Sequence, residues 1–527
     1  MPPHPEPLQL VVEFGFAGSR ILVDAAEHPG ADIDALQRQI EDGLVAELAR
    51  LHMELGLSHH FLSGVSQLAI GADTLFAKAC RRLEIPHRVF LPERSDAYFT
   101  AGSKQPDFSA VERSEAEALL DGPSVIQQVV VSDDPSRTRR FQQTNLQIVR
   151  ASDLVVCLLR EVTDGKPGGT ADVLALAAKR ELPALELRVH IEAETATLER
   201  RWHHKDKFVR PKLPRSIASR VHPAATTPAT ALKPPSFDDY VQSLREEASG
   251  LARWQRRLFG WSALTIIVTH LAATFAAAAA IAFHVREVLP WLLSVELVFL
   301  SVGFAVHQYL HASHASSTWA FARTASEVRR SVLAVRTLPE YLDYLFLLPY
   351  PATLRPLLRT LSVLHLKESR RLSAGAWEEK RAQYLTSRVD HQRAYYTKQG
   401  QAAARDVKVS FWAFVVCTLF AVLATSGKLA VVAYNWEGAE QFTPWLGILA
   451  VSLPVLAVGA ISFVAALDGE ARAHTFEEMC RFLTDQGRRI EHAEDEREFT
   501  DLVLEAETRL LGENANWFAR RSFTGVS

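Results

Sequence analysis

Three short stretches place glycines, a hydroxyl or a cation where a strand should hand over to a helix. In EFGFAGSR (13–20), Gly15 and Gly18 permit close backbone approach, Ser19 can donate a hydrogen bond, and Arg20 can pair with phosphate. In FLSGVSQLAIGADTLFAKACRRLEIPHRVFLP (61–92), Gly64 and Ser66 follow an apolar run, and Gly71-Ala72-Asp73 opens a helix. A helix N-terminus offers free N–H groups and a positive dipole end, which suit an anion; Asp73 can equally serve as the cap of that helix. In DGKPGGTADVLALAAKR (164–180), Lys166 supplies charge, Gly168 and Gly169 remove side chains, and Thr170 brings a hydroxyl to a helix start. The chemistry common to all three is the holding of a phosphate-bearing ligand. The third stretch is not a Walker A loop, because no Gly-Lys-Ser/Thr closes it. Each turn alone can be an ordinary tight turn; three on one sheet are more specific.

Two further groups could close over such a ligand. SRTRRFQQTNLQIVR (136–150) carries Arg137, Arg139, Arg140, Gln143 and Asn145, which either reach phosphate or form a solvated helix face. ERSDAYFTAG (93–102) sets Tyr98 and Phe99 near the same edge, where they either stack on a base or pack the loop. Elsewhere, His270 and Glu296 fall inside long apolar runs. An ionisable group in hydrocarbon costs about 2.5–3.5 kcal/mol, so both are candidates for a water path or an oligomer contact. His307, His311 and His314 share one helix face at i, i+4 and i+7, but an interface is expected there rather than a metal site.

These residues need elements to position them. Residues 8–190 alternate short apolar runs (LQLVVEFGF, SDLVVCLL) with amphipathic stretches such as DALQRQIEDGLVAELARLHMEL. That alternation predicts an open, parallel, Rossmann-like α/β sheet, with ligands at the carboxyl ends of its strands. Residues 203–237 are basic and proline-rich and read as a linker. Four runs then reach membrane length: 258–283, 288–310, 409–427 and 444–467. The stretch 341–366, broken by Pro and Arg, reads as interfacial or packed helix. Basic residues before the first run and through 311–408 predict cytoplasmic termini and a cytoplasmic middle segment. A polar helix (about 238–257, and 376–408) precedes each pair of runs, and a charged helix (317–336, and 472–507) follows it. This order predicts a repeat of about 140 residues. Trp319 and Phe321 in one exit, and His474 and Phe476 in the other, stand at similar distances from the last span.

The totals are permissive. A chain of 527 residues exceeds one ordinary domain. Lys and Arg (58) nearly balance Asp and Glu (61), so nothing in the charge argues for nucleic acid. Cys80, Cys157, Cys417 and Cys480 form no CxxC pair, so neither a disulfide framework nor a zinc site is expected. MPPHPEPLQLVVEFGF lacks the basic region and apolar core of a signal peptide.

The succession GFAGSR, SGVSQLAIGADTLFAKA and SDLVVCLLR…GKPGGTADVLALAAKRELP resembles the SLOG superfamily. These are Rossmann-like domains related to the LOG nucleotide-processing enzymes and to sensors of nucleotide signals. The two-span hairpins flanked by charged helices resemble the SLATT family (SMODS and SLOG-associating two-transmembrane domains). The resemblance implies a bacterial conflict or antiphage effector in the inner membrane, with a cytoplasmic domain that binds a nucleotide-derived signal, cyclic or ADP-ribose-like. It also implies a membrane part that opens or disrupts the bilayer, and four spans per chain imply a homo-oligomer. LOG-type hydrolases carry PGGxGT followed by a catalytic glutamate. Here the run is Pro167-Gly168-Gly169-Thr170-Ala171-Asp172, and the first glutamate afterwards is Glu181. Binding without catalysis is therefore expected, with no catalytic residue and no covalent cofactor. A membrane-anchored nucleotide hydrolase and a regulated channel or transporter remain the alternatives. The expected organisation is a SLOG-like domain over 1–200, a linker over 201–237, two-span units over 238–345 and 376–527, and a connector over 346–375.

Overall fold

The computed structural model describes residues 8–523, apart from 25, 101–107, 161–168, 193, 214–232, 284–287, 314, 339–344, 346–347, 373–375, 435, 437 and 467. The chain divides into two compact units. The first comprises Met1–Leu244, Arg336–Phe346 and Pro351–Ala374; the second comprises Arg245–Val335, Leu347–Tyr350 and Gly375–Ser527.

The first unit is built on a seven-stranded sheet. Its strands are β1 (Leu10–Gly18), β2 (His60–Ser66), β3 (His87–Leu91), β4 (Val125–Val130), β5 (Leu154–Arg160), β6 (Ala184–Glu192) and β7 (Thr195–His203). The spatial order is β4-β3-β2-β1-β5-β6-β7. All neighbours pair in parallel except β6 and β7. The helices are α1 (Ile33–Glu54), α2 (Ala72–Arg82), α3 (Ser95–Thr100), α4 (Ala110–Leu120), α5 (Arg137–Ala151) and α6 (Thr170–Lys179). β1 and β5 are buried almost throughout, as expected of central strands covered on both faces. α1 places Leu36, Ile40, Leu44, Leu48 and Leu51 on one stripe, and these pack with Val12, Phe14, Phe16 and Val156 from the strands. Phe76 of α2 stacks on Phe16 with ring centroids 4.2 Å apart.

Two features depart from expectation. β7 is antiparallel and runs to His203, past the boundary expected at 200. Its burial alternates between exposed and half-buried, so TATLERRWH carries no apolar run to announce an edge strand. The expected connector 346–375 also belongs largely to the sheet unit. Within it, α10 (Arg355–Leu372) buries Leu357, Leu358, Leu361 and Leu364. Thr360 Oγ1 accepts the Val11 N–H at 2.9 Å. The Arg359 guanidinium lies 3.1 Å from Glu13 Oε2 and 2.6 Å from Asp153 Oδ1.

The second unit is helical. α7 (Phe237–Phe283), which starts in the first unit, is followed by α8 (Leu289–Ala312) and α9 (Ala315–Ala334). After α11 (Trp377–Tyr384) and a π-helical turn at Leu385–Asp390 come α12 (His391–Ala433), α13 (Thr443–Ala466), α14 (Gly469–Glu491) and α15 (Glu496–Phe523). Among the described residues, four helical stretches are long and apolar enough to cross a membrane, and they overlap the four expected runs. In each half, the polar helix and the first apolar run form one continuous helix. The order of α7, α8 and α9, with 47, 24 and 20 residues, is repeated by α12, α13 and α14, with 43, 24 and 23.

The apolar helices pack closely at small side chains. Gly303 of α8 lies against Thr269 and His270 of α7, and Gly459 of α13 against Ile267 of α7. Ser410 of α12 donates to the Ala460 carbonyl of α13 at 2.6 Å. Leu297, Phe304, Phe420 and Val458 remain exposed, as suits faces turned to lipid. Beyond the spans, Arg388 in the π-helical turn donates twice to Glu507 of α15, at 2.7 and 2.6 Å, and Tyr384 adds a third bond at 2.9 Å.

Candidate functional site

The strand order reverses between β1 and β5. From β1 the chain builds outward to β4, then returns to place β5 on the other side of β1. Open α/β sheets form a crevice at such a switch point, outside the carboxyl ends of the strands. The end of β1, the end of β5 and the starts of α2 and α6 supply the residues there.

Gly18 and Gly71 make this edge possible. A Cβ on Gly18 would fall 2.0 Å from the Ala72 Cβ, and one on Gly71 would fall 2.1 Å from the Arg20 carbonyl oxygen. Gly71 also has φ +83°, a conformation that side chains disfavour. The first turn of α2 can therefore press against the exit of β1, where the Ala72 N–H donates to the Ser19 carbonyl at 3.1 Å. The Ser19 N–H donates to Leu158 O at 2.9 Å, and Ser19 Oγ accepts from the Arg160 N–H at 3.3 Å. Ser19 thus stitches the ends of β1 and β5 together. Arg20 is exposed beside them.

Asp73 is buried at 4% exposure, and its Oδ2 accepts the Ala69 N–H at 3.2 Å. Burial raises its pKa to about 7, against the pull of backbone N–H groups and of the Arg20 charge. It braces the loop between β2 and α2. Ser66 is buried as well: its hydroxyl meets His87 Nε2 at 2.9 Å and accepts from the Leu68 N–H at 3.3 Å. Burial holds His87 neutral, with its pKa down to about 3. Leu68 has φ 56°, so strain is stored in the same loop.

Gly15 and Gly64 are not part of this edge. A Cβ on Gly15 would meet Ser152 Oγ at 2.6 Å, and one on Gly64 would meet Phe76 Cζ at 2.6 Å. Both glycines let α5 and α2 approach the sheet. Glycine for packing and glycine for a ligand look alike in sequence; only the packing of α2 and α5 on the strands separates them.

At the start of α6, Gly169 is extended (φ −88°, ψ −172°), and Thr170 is half-buried. Lys166 and Gly168 lie outside the described residues. Gln67 Nε2 donates to Asn145 Oδ1, and Asn145 Nδ2 donates to Gly169 O at 3.5 Å. This amide relay ties the loop after β2, through α5, to the helix start. Gln67 went unrecognised; its only sequence signal is a polar amide directly after a strand.

For the closing groups, the structure shows the second of the two expected alternatives at Tyr98. Tyr98 is fully buried among Phe99, Phe108 and Phe141, so it packs the loop and cannot stack on a base in this arrangement. Arg140 is held by Glu93 at 2.6 Å and by the Asp134 carbonyl at 2.8 Å. Arg137 lies 3.6 Å from Glu93. Arg139 is exposed. In the second unit, His270 Nδ1 donates to Ile266 O at 2.8 Å and Glu296 is half-buried. The rings of His307 and His311 are 6.5 Å apart; His314 lies outside the described residues. No metal-holding cluster of His, Cys, Asp or Glu occurs among the described residues.

The chain thus joins an open α/β sheet unit, whose strand order reverses between β1 and β5, to a helical unit with four membrane-length apolar helices among the described residues. Its residues 384–517 match the family model described as SMODS and SLOG-associating 2TM effector domain 1. The match runs from Tyr384 through α12, α13 and α14 to Trp517 in α15, and takes in the Arg388–Glu507 pair; α7, α8 and α9 lie outside it. Comparison with curated proteins and with solved structures gives no match.

Proposed function

We propose that this chain is a bacterial membrane effector of the conflict or antiphage kind, whose sheet unit receives a nucleotide-derived signal and whose apolar helices answer by permeabilising the inner membrane. The observation that carries this reading is the close packing of Gly18, Ser19 and Gly71 at the switch point of an open sheet, in a chain whose 384–517 segment matches a two-span effector family. The ligand lies across the ends of β1 and β5, with its phosphates toward the starts of α2 and α6 and Arg20 within reach of their charge. It is a cyclic nucleotide or an ADP-ribose derivative.

The route to the membrane runs along the chain. The sheet unit hands over to the helical unit after Leu244, and the chain returns to it at Arg336 and again at Pro351. A ligand that favours one arrangement of the sheet unit therefore biases α7 and α9 through these connections. Several copies assemble around the opening, because four spans are few for a conducting path. The N- and C-termini face the cytoplasm. The sheet unit binds its ligand without turning it over.

The test uses full-length protein in liposomes, with ADP-ribose and cyclic di-AMP as probes and release of an entrapped dye as the readout. One of the two is expected to trigger release, and Gly169→Glu is expected to abolish the response while leaving membrane insertion intact. Triggered release by Gly169→Glu at the wild-type level would show that the site is misplaced.

A further inference from the structure

A second concave site lies wholly within the helical unit. α7, α9, α12, α14 and α15 enclose a cleft of about 680 Å³, within the size range of small-molecule sites. Its lining is strongly basic. α7 contributes Arg245, Arg253 and Arg256, which fall on one helix face. α9 contributes Arg323, Arg329 and Arg330, and α14 adds Arg472. Among the described residues, two carboxylates, Glu246 and Glu327, line the same cleft.

The acids do not balance this charge. Glu327 takes Arg330 at 2.6 Å, and Glu513 stands 4.0 Å from Arg323. Among the described residues, Arg245, Arg253 and Arg256 have no ion pair. Burial, and then the charges of Arg245 and Arg330, push the Arg329 guanidinium below its usual range. Burial, and then Arg256 and Arg323, do the same to Arg472, which lies beyond the apolar run of α13. Like charges gathered in a partly desolvated cleft repel each other unless an anion enters. The guanidinium fork suits phosphate, which it can grip with two parallel hydrogen bonds.

The cleft is also built to hold its arginines in place. Arg323 lies over the Trp517 ring at 4.1 Å, and Trp517 meets Trp319 edge-on at 5.1 Å. The Arg472 guanidinium sits 5.7 Å from the Phe476 ring centroid. Arg256 immediately precedes the apolar run that begins at Leu258, so the cleft opens where the chain enters the bilayer region.

We infer that this arginine cleft binds a phosphate-bearing polyanion, drawn either from a lipid headgroup or from solution. The inference stands apart from the reading of the sheet unit and needs no ligand there. Occupancy would neutralise the repulsion among α7, α9 and α14 and so favour their packed arrangement.

The experiment uses full-length protein in nanodiscs. Inorganic pyrophosphate is titrated by calorimetry into protein held in phosphatidylcholine. Separately, protein from mixed phosphatidylcholine and phosphatidylglycerol nanodiscs is analysed by native mass spectrometry for retained lipid. At least one of the two anions is expected to bind, and Arg253→Gln/Arg256→Gln is expected to weaken that binding tenfold or more. Arg481→Gln, on the exposed face of α14, is expected to leave it unchanged. Pyrophosphate binding alone identifies a soluble ligand, phosphatidylglycerol retention alone identifies a headgroup, and binding of both supports the shared phosphate chemistry. If the double variant fails to fold, Arg329→Gln decides by the same criterion. Failure of both anions to bind, wild-type binding by the cleft variant, or equal loss in Arg481→Gln overturns the inference.

Discussion

Gly303 of α8 leaves the space that the His270 ring of α7 fills: a Cβ added to Gly303 would stand 2.9 Å from His270 Cε1 and 2.8 Å from Thr269 Oγ1. The polar side chain in the middle of the first span is thus set against its neighbouring helix at a point where no side chain intervenes. Gly303→Val forces the two helices apart. Overpacking of this kind costs about 1–3 kcal/mol, so the detergent-solubilised protein is expected to melt several degrees lower. Gly303→Ala is expected to fall between. An unchanged Tm for Gly303→Val would mean that the two helices do not approach at this point.

A second consequence concerns pH. The Asp73 carboxyl titrates near 7 in the folded protein, against about 3.9 in an unfolded chain. Between these values the folded state holds the extra proton, so stability falls as pH rises from about 4 to about 7 and levels off above. Asp73→Asn removes this dependence. The Tm of the variant relative to wild type is therefore expected to climb between pH 5 and pH 7 and to flatten beyond. A constant difference across that window would show that Asp73 is ionised throughout.

Arg388 and Glu507 form a buried pair in the helical unit, with Glu507 fully buried and Tyr384 bonded to the same carboxylate. Removing one partner strands a charge away from water. Arg388→Ala is expected to cost about 3–5 kcal/mol, whereas replacing both residues with apolar ones of similar size is expected to recover most of the loss. Thermal unfolding of the single and double variants reads this directly. A double variant no better than Arg388→Ala would locate the loss in the π-helical turn itself rather than in the stranded charge.

The parts of this fold that the sequence announces are those in which one residue type repeats. β1 and β5 are unbroken apolar runs because both faces are covered, and the four spans are uniformly apolar over more than a helix turn in every direction. The parts it hides depend on partners far along the chain. β7 alternates polar residues at an exposed edge. The amide relay of Gln67 and Asn145 exists only when β2 and α5 are brought together. Gly15 and Gly18 lie three residues apart on one strand, yet only Gly18 stands at the switch point, because which helix covers which glycine is settled by tertiary packing. The arginine cleft is hidden for the same reason: its cations come from three helices far apart in the chain.

α10 supplies the last prediction, because it packs on the sheet although the last strand, β7, ends far earlier in the chain at His203. Glu13 is 2% exposed and lies between Arg88 at 2.9 Å and Arg359 at 3.1 Å. Without α10, the Val11 N–H loses its acceptor, Asp153 loses its 2.6 Å partner, and the surface under Leu357, Leu358 and Leu361 is bared. Each buried leucine contributes about 1.5–3 kcal/mol, so the three together rival the whole stability of a small domain at roughly 5–15 kcal/mol. Residues 1–213 alone are therefore expected to aggregate or to melt far below the same fragment carrying 351–374 on a flexible linker. Circular dichroism melts and gel filtration of the two fragments check this. Arg359→Ala in the linked fragment is expected to lie between them, because Arg88 still faces Glu13. A monomeric 1–213 fragment that melts as high as the linked one would show that α10 contributes nothing to the sheet.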